Sequence, residues 1–152
     1  MLGNYAEASQ ELKRIAPLLR THPDALEVLW HIYAHAQNWD ACTDISNAIV
    51  EAAPDRASGW IMRSYALRRA TRGGLQAARD ALLPVAGEFT KVHLIPFNLA
   101  CYACQLGRLP EAQEWLKQAF RIAAKAGTLR IVKSRALDDP DLEPLWGEIA
   151  SM

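Results

Sequence analysis

The chain has 152 residues, of which 51% are hydrophobic and 22% charged, enough apolar material for a sizeable core and too much for a disordered or collagen-like chain. Seventeen basic residues balance seventeen acidic ones, so no net charge draws the whole protein to nucleic acid or to an acidic membrane. The longest stretch free of Asp, Glu, Lys and Arg runs from Val92 to Gly107 and is interrupted by His93, Pro96, Asn98 and Gln105. A membrane span needs about 20 predominantly apolar residues, so this stretch reads as a buried helix.

In chain order, apolar residues three, four and seven apart mark amphipathic helices. Such helices are predicted over 5–20, 24–37, 39–53, 57–71, 75–88, 93–106 and 110–125, with one or two short ones after 128. Pro23-Asp24, Pro54-Asp55, Gly73-Gly74 and Gly107-Arg108 punctuate them as helix stops and starts. No stretch alternates as a half-buried strand does, so the chain reads as all-α. Pro96 and Pro110 fall in first turns, where proline removes no intrahelical bond. Pro17 and Pro84 fall late in their helices and predict a bend or an early end.

The helices repeat. Tyr5, Trp39, Leu75 and Leu109 stand 34, 36 and 34 residues apart, and small side chains at Ala8, Cys42, Ala78 and Ala112 keep the same intervals. So do Leu12, Ser46, Leu82 and Leu116, then Ile15, Ile49, Val85 and Ala119. A helix pair repeating near 34 residues, with small residues where its helices meet, resembles the tetratricopeptide repeat. Asn98 to Ala103, Leu106-Gly107-Arg108-Leu109-Pro110-Glu111-Ala112, Trp115-Leu116 and Ala119 carry that resemblance most fully. It implies one domain over 1–152, an α-solenoid of about three and a half helix pairs. The half repeat would be 2–22, the repeats 23–56, 57–90 and 91–126, and the C-terminal cap 127–152. The helix at 5–20 presents Leu12, Ile15, Leu18 and Leu19 with only four residues before it. Self-association through this helix into a homodimer is therefore expected, unless the chain is a piece of a longer array.

No motif points to catalysis. Cys101-Tyr102-Ala103-Cys104 is a C-x-x-C pair, but Cys101 falls about two turns into its helix, away from the N-terminal dipole that activates redox thiols. A zinc site would need two further ligands, and no second such pair exists. His31 and His35 share a helix face at metal-binding spacing, yet Ile32-Tyr33-Ala34 between them offers no general base. Gly73-Gly74 lacks the Lys-Ser/Thr of a phosphate loop. The expectation is no enzyme, no metal and no cofactor. An enzyme using His31, His35, Cys101 and Cys104 is the remote alternative. Three cysteines are few and odd in number, against a disulfide scaffold; with no basic, apolar leader at Met1 to Glu7, a cytoplasmic location is expected.

Charge is unevenly spread. Residues 56–79 carry six arginines and no acid, and residues 136–152 carry five acids and no base. Arg63, Arg68, Arg69 and Arg72 could form a basic patch for an acidic peptide, arginine being suited to bidentate carboxylate recognition. In the family this chain resembles, the first helices of successive pairs line a concave groove that holds peptide segments. Carried over, the groove positions are Asp24, Glu27, His31 and His35, then Ile61, Tyr65, Arg68 and Arg69, then Leu94, Phe97, Cys101, Cys104 and Gln105. Of the asparagines that clamp a terminal carboxylate in some members, only Asn98 is matched, Val28 and Met62 standing at the other places. The resemblance thus implies a non-catalytic binding module or scaffold that docks a protein or peptide through Tyr65 and Phe97, with Arg68 and Arg69 fixing register. A bacterial secretion chaperone holding an unfolded client is the neighbouring alternative. Neither nucleic acid nor membrane is expected as a partner.

Overall fold

The computed structural model describes residues 21–152. The predicted helix over 5–20, with Tyr5, Ala8, Leu12, Ile15 and Pro17 and the homodimer face expected of it, lies outside the described residues. Among the described residues every regular element is helical and none is a strand. The helices are α1 (Pro23–His35), α2 (Trp39–Ala52), α3 (Ala57–Arg69), α4 (Leu75–Leu82), α5 (Leu94–Gln105), α6 (Leu109–Lys125), α7 (Leu129–Asp138) and α8 (Trp146–Ile149), with 3-10 turns at Leu83–Val85 and Pro140–Leu145. No helix among these residues is long and apolar enough to cross a membrane. The described residues divide into two compact units, unit 1 up to Ala78 and unit 2 from Arg79 on. The division falls inside α4, within the repeat expected over 57–90.

Trp39, Leu75 and Leu109, three members of one repeat column, are each the first residue of a helix. Cys42, Ala78 and Ala112, three residues on, are fully buried. The helix predicted over 75–88 ends at Leu82 and tightens into the 3-10 turn at Leu83–Val85, because Pro84 lacks an N–H and crowds the preceding turn. The helix predicted over 57–71 ends at Arg69. A Cβ on Gly73 would stand 1.7 Å from the Leu67 carbonyl oxygen, so only glycine permits the tight return from α3 in which Gly74 N–H donates to that oxygen at 2.9 Å.

In unit 1, α1 packs on α2 and α2 on α3, around Leu26, Trp30, Cys42, Ile49, Met62 and Ala66. The Cys42 thiol donates to the Trp30 carbonyl at 3.5 Å across the first pair. α1 closes with a reciprocal C-terminal lock, Gln37 N–H to Ala34 O and Asn38 N–H to Tyr33 O. Gln37 then takes the left-handed φ of 56°, and Asn38 caps α2 by accepting from Ala41 N–H. In unit 2, α5 closes the same way through Gly107 at φ 76°, with Gly107 N–H to Cys104 O and Arg108 N–H to Ala103 O.

The core of unit 2 joins α5 and α6 to Val132 and Ala136 of α7 and to Leu142, Leu145 and Ile149 of the C-terminal segment. Ala100, Ala103, Ala112, Ala119 and Ala123 all have no exposed surface, and their short side chains let α5 and α6 approach closely. Arg79 is drawn against Glu111 at 2.7 Å. The acidic C-terminal run is therefore in large part a packed cap. Its apolar residues enter the core, and Trp146 donates its indole N–H to the Ala136 carbonyl at 3.1 Å.

Six of the side-chain bonds between elements have similar sequence spans. Arg56 to Asp24 spans 32 residues, Ser58 to Glu27 and Thr71 to Asp40 31 each, and Arg79 to Glu111 32. Gln113 to Glu148 spans 35 and Gln105 to Asp141 36. Each tie reaches about one repeat along the chain.

Candidate functional site

The residues singled out in the sequence fall in both units. In unit 1, α1 contributes Trp30 and Ala34, the start of α2 Trp39, and α3 Ile61, Met62 and Tyr65. These six line a cavity of about 390 Å³. The three rings form a triangle, with centroids 6.4 Å apart for Trp30 and Trp39, 6.0 Å for Trp30 and Tyr65, and 5.7 Å for Trp39 and Tyr65, all tilted or edge-on. Such spacing is favourable aromatic packing. The Trp30 indole N–H is buried with no hydrogen-bond partner, a costly state for a polar group, whereas Tyr65 is 40% exposed.

Arg69, one turn after Tyr65, lies across this cluster. Its guanidinium carbon is 3.6 Å from the Tyr65 ring centroid and 5.3 Å from that of Trp39. One of its nitrogens donates to the Tyr65 carbonyl at 2.9 Å. Stacking of this kind contributes about 0.5–1 kcal/mol at exposed sites and holds a positive charge beside an apolar surface. Ile61, Tyr65 and Arg69 are thus brought together. His31 is exposed and meets Trp30 edge-on at 5.3 Å; His35 is exposed and Arg68 half-buried. Glu27 accepts from the Ser58 hydroxyl.

The basic run is partly answered within the protein. Arg56 pairs with Asp24 at 2.6 Å, holding the Asp24 carboxyl below its ordinary range. Arg63 stacks on Trp60, and Arg79 is engaged by Asp80 and Glu111. Asp40 is likewise held below the usual carboxylate range, first by the Thr71 hydroxyl and then by the Thr71 N–H, with Arg72 adding a smaller effect. Of the arginines of the expected patch, Arg69 is the one laid against the aromatic cluster.

In unit 2 the expected groove residues are placed otherwise than the family positions imply. Phe97 is 1% and Cys101 4% exposed, and Cys104 is also buried. Docking through Phe97 is thereby corrected: the ring lies in the core, and the guanidinium of Arg135 stands 5.4 Å from its centroid. The reason is the C-terminal segment, whose 3-10 turn packs on α5 while Gln105 donates to the Asp141 carbonyl at 3.0 Å. Asn98 is half-buried and Gln105 exposed. Under the turn, the Cys101 sulfur faces the Asp139 carboxylate at 3.7 Å. Burial, and secondarily the charge of Asp141, pushes the Cys104 thiol up.

A larger cleft of about 620 Å³ in unit 2, walled by Thr90, Lys91, Gln118, Arg121, Ile122, Lys125 and Ala126, contains none of the residues expected from the sequence. Trp30 and Trp39 were not among those expectations either. Their helical spacing assigns them to the packed faces, and only the fold shows them meeting Tyr65 and Arg69. Among known proteins, no family model, no curated protein and no solved structure matches the chain.

Proposed function

We propose that the protein is a non-catalytic, cytoplasmic interaction module, an α-solenoid of tetratricopeptide type that binds a protein or peptide segment. The observation that carries this reading is the half-exposed Trp39–Tyr65 surface with Arg69 stacked upon it, beside the aromatic-lined cavity. Such a surface offers apolar area and a fixed positive charge together, which suits a segment with a large apolar side chain next to an acidic one. The solenoid reading is supported by the spans of 31 to 36 residues between hydrogen-bonded side chains, since units of a stacked array touch mainly their neighbours.

The test is selection of a random peptide library on the full chain, followed by titration of enriched peptides into the wild type, Tyr65→Ala and Arg68→Glu/Arg69→Glu. Enriched peptides should pair an acidic residue with an aromatic or aliphatic one. The charge reversal should weaken them at least about tenfold, the scale of one lost charged hydrogen bond, with little change in melting temperature. Equal binding to the charge-reversed protein would show the arginines to be a solvated face.

A further inference from the structure

The C-x-x-C pair of α5 does have further metal-capable neighbours, and they come from the C-terminal turn. One donor atom each from Cys101, Asp139 and Asp141 lie within 4.8 Å of one another. Cys101 is buried and the two carboxylates are half-buried. Donors 2.0–2.3 Å from a shared tetrahedral zinc stand about 3.3–3.8 Å apart. The 3.7 Å between the Cys101 sulfur and Asp139 Oδ2 already has that spacing, and Asp141 needs to close by roughly an ångström.

Charge argues the same way. The described partners of the Asp139 carboxylate are the Cys101 thiol and the Asp141 N–H, and neither is a cation. Cys104 stands three residues beyond Cys101 on the same helix but outside this cluster of donor atoms. One sulfur and two carboxylates thus converge from two elements in a partly desolvated place. Sulfur donors select zinc over magnesium or calcium, which take oxygen.

We propose that Cys101, Asp139 and Asp141 form a binding site for a thiophilic divalent cation, Zn2+ by its chemistry, with solvent completing the coordination. The cation ties the C-terminal turn to α5. The ligating thiol gives its proton to solvent, so affinity rises with pH. The site is independent of the aromatic surface of unit 1.

The experiment is titration of the full, reduced chain with Co2+ and with Zn2+. Cobalt uptake is followed by sulfur-to-cobalt absorption, and zinc by direct metal analysis and by melting temperature. One equivalent should bind, with the absorption of thiolate ligation, and zinc should raise the melting temperature. Cys101→Ser and Asp139→Asn should each weaken binding at least about tenfold, the lower end of what loss of a merely supporting partner costs. Asp139→Asn keeps the oxygen that caps the turn, so its melting temperature in chelator should stay near that of the wild type. Cys42→Ser should bind as the wild type does. Absence of stoichiometric uptake at micromolar metal, or uptake unchanged in Cys101→Ser/Asp139→Asn, would overturn the proposal.

Discussion

Gly59 is where α3 presses against α2, and it offers a prediction whose sign depends on one neighbour. A Cβ placed there would lie 2.8 Å from Ile49 Cγ2, 3.3 Å from Val50 Cγ2 and 3.4 Å from the Val50 backbone nitrogen. Ile49 is fully buried, and its Cγ2 sits on a branched Cβ, so it cannot swing into solvent. Alanine for glycine within a helix ordinarily stabilises by about 0.5–1 kcal/mol, while overpacking of a filled core costs about 1–3 kcal/mol. Gly59→Ala should therefore destabilise by about 1 kcal/mol. Ile49→Ala alone should cost about 2–5 kcal/mol, but it removes the obstructing methyl. In that background Gly59→Ala should stabilise by about 0.5–1 kcal/mol, a coupling of about 1–3 kcal/mol between the two sites. Urea unfolding of the four proteins, followed by circular dichroism, measures it. A Gly59→Ala protein more stable than wild type, or effects that add to within about 0.5 kcal/mol, would refute the close approach.

Three further outcomes are expected. Ala112→Leu should overpack the α5–α6 crossing, where Ala112 is fully buried, and cost about 1–3 kcal/mol; an unchanged denaturation midpoint would contradict this. Asp24 and Asp40 both have carboxyls lowered from 3.8 in the folded chain, so the stability they contribute is full above about pH 4 and lost as pH falls below it. Asp24→Asn/Asp40→Asn should flatten the acid limb of a plot of melting temperature against pH, and a parallel limb would count against these ties. Burial pushes the Cys42 thiol up to about 11 from 9.0; the native protein should therefore lose stability as pH rises from about 9 toward 11, a loss absent in Cys42→Ala and readable from melting curves across that range.

Much of the fold was legible because each of its determinants is local. The 34- and 36-residue intervals predicted Trp39, Leu75 and Leu109 at equivalent places, and each begins a helix. Pro84 predicted the early end of α4 through its missing N–H. The site was less legible, because exposure depends on what folds back from elsewhere. Phe97 and Cys101 stand at positions that line a groove in the resembled family, and nothing in their own helix reveals that Leu142 and Leu145 will cover it. The acidic residues after Ala136 look like a solvated run by charge alone. Asp139 stands 38 residues from Cys101, and only the folded C-terminal turn brings it and Asp141 to the thiol. The spacing Asp-Pro-Asp, with proline starting a tight turn, is the signal that could have found them.

The similar span of the six ties named above also bears on how the chain folds. The entropy of closing a loop grows as about (3/2)RT times the logarithm of its length. Closures of 31 and 36 residues therefore differ by only about 0.1 kcal/mol. No single tie is a costly long-range event that must precede the others. Because α1 and α2 are joined through one left-handed residue, and α5 and α6 through another, each pair can dock almost as soon as its helices form. Local topology of this sort favours folding in microseconds to milliseconds.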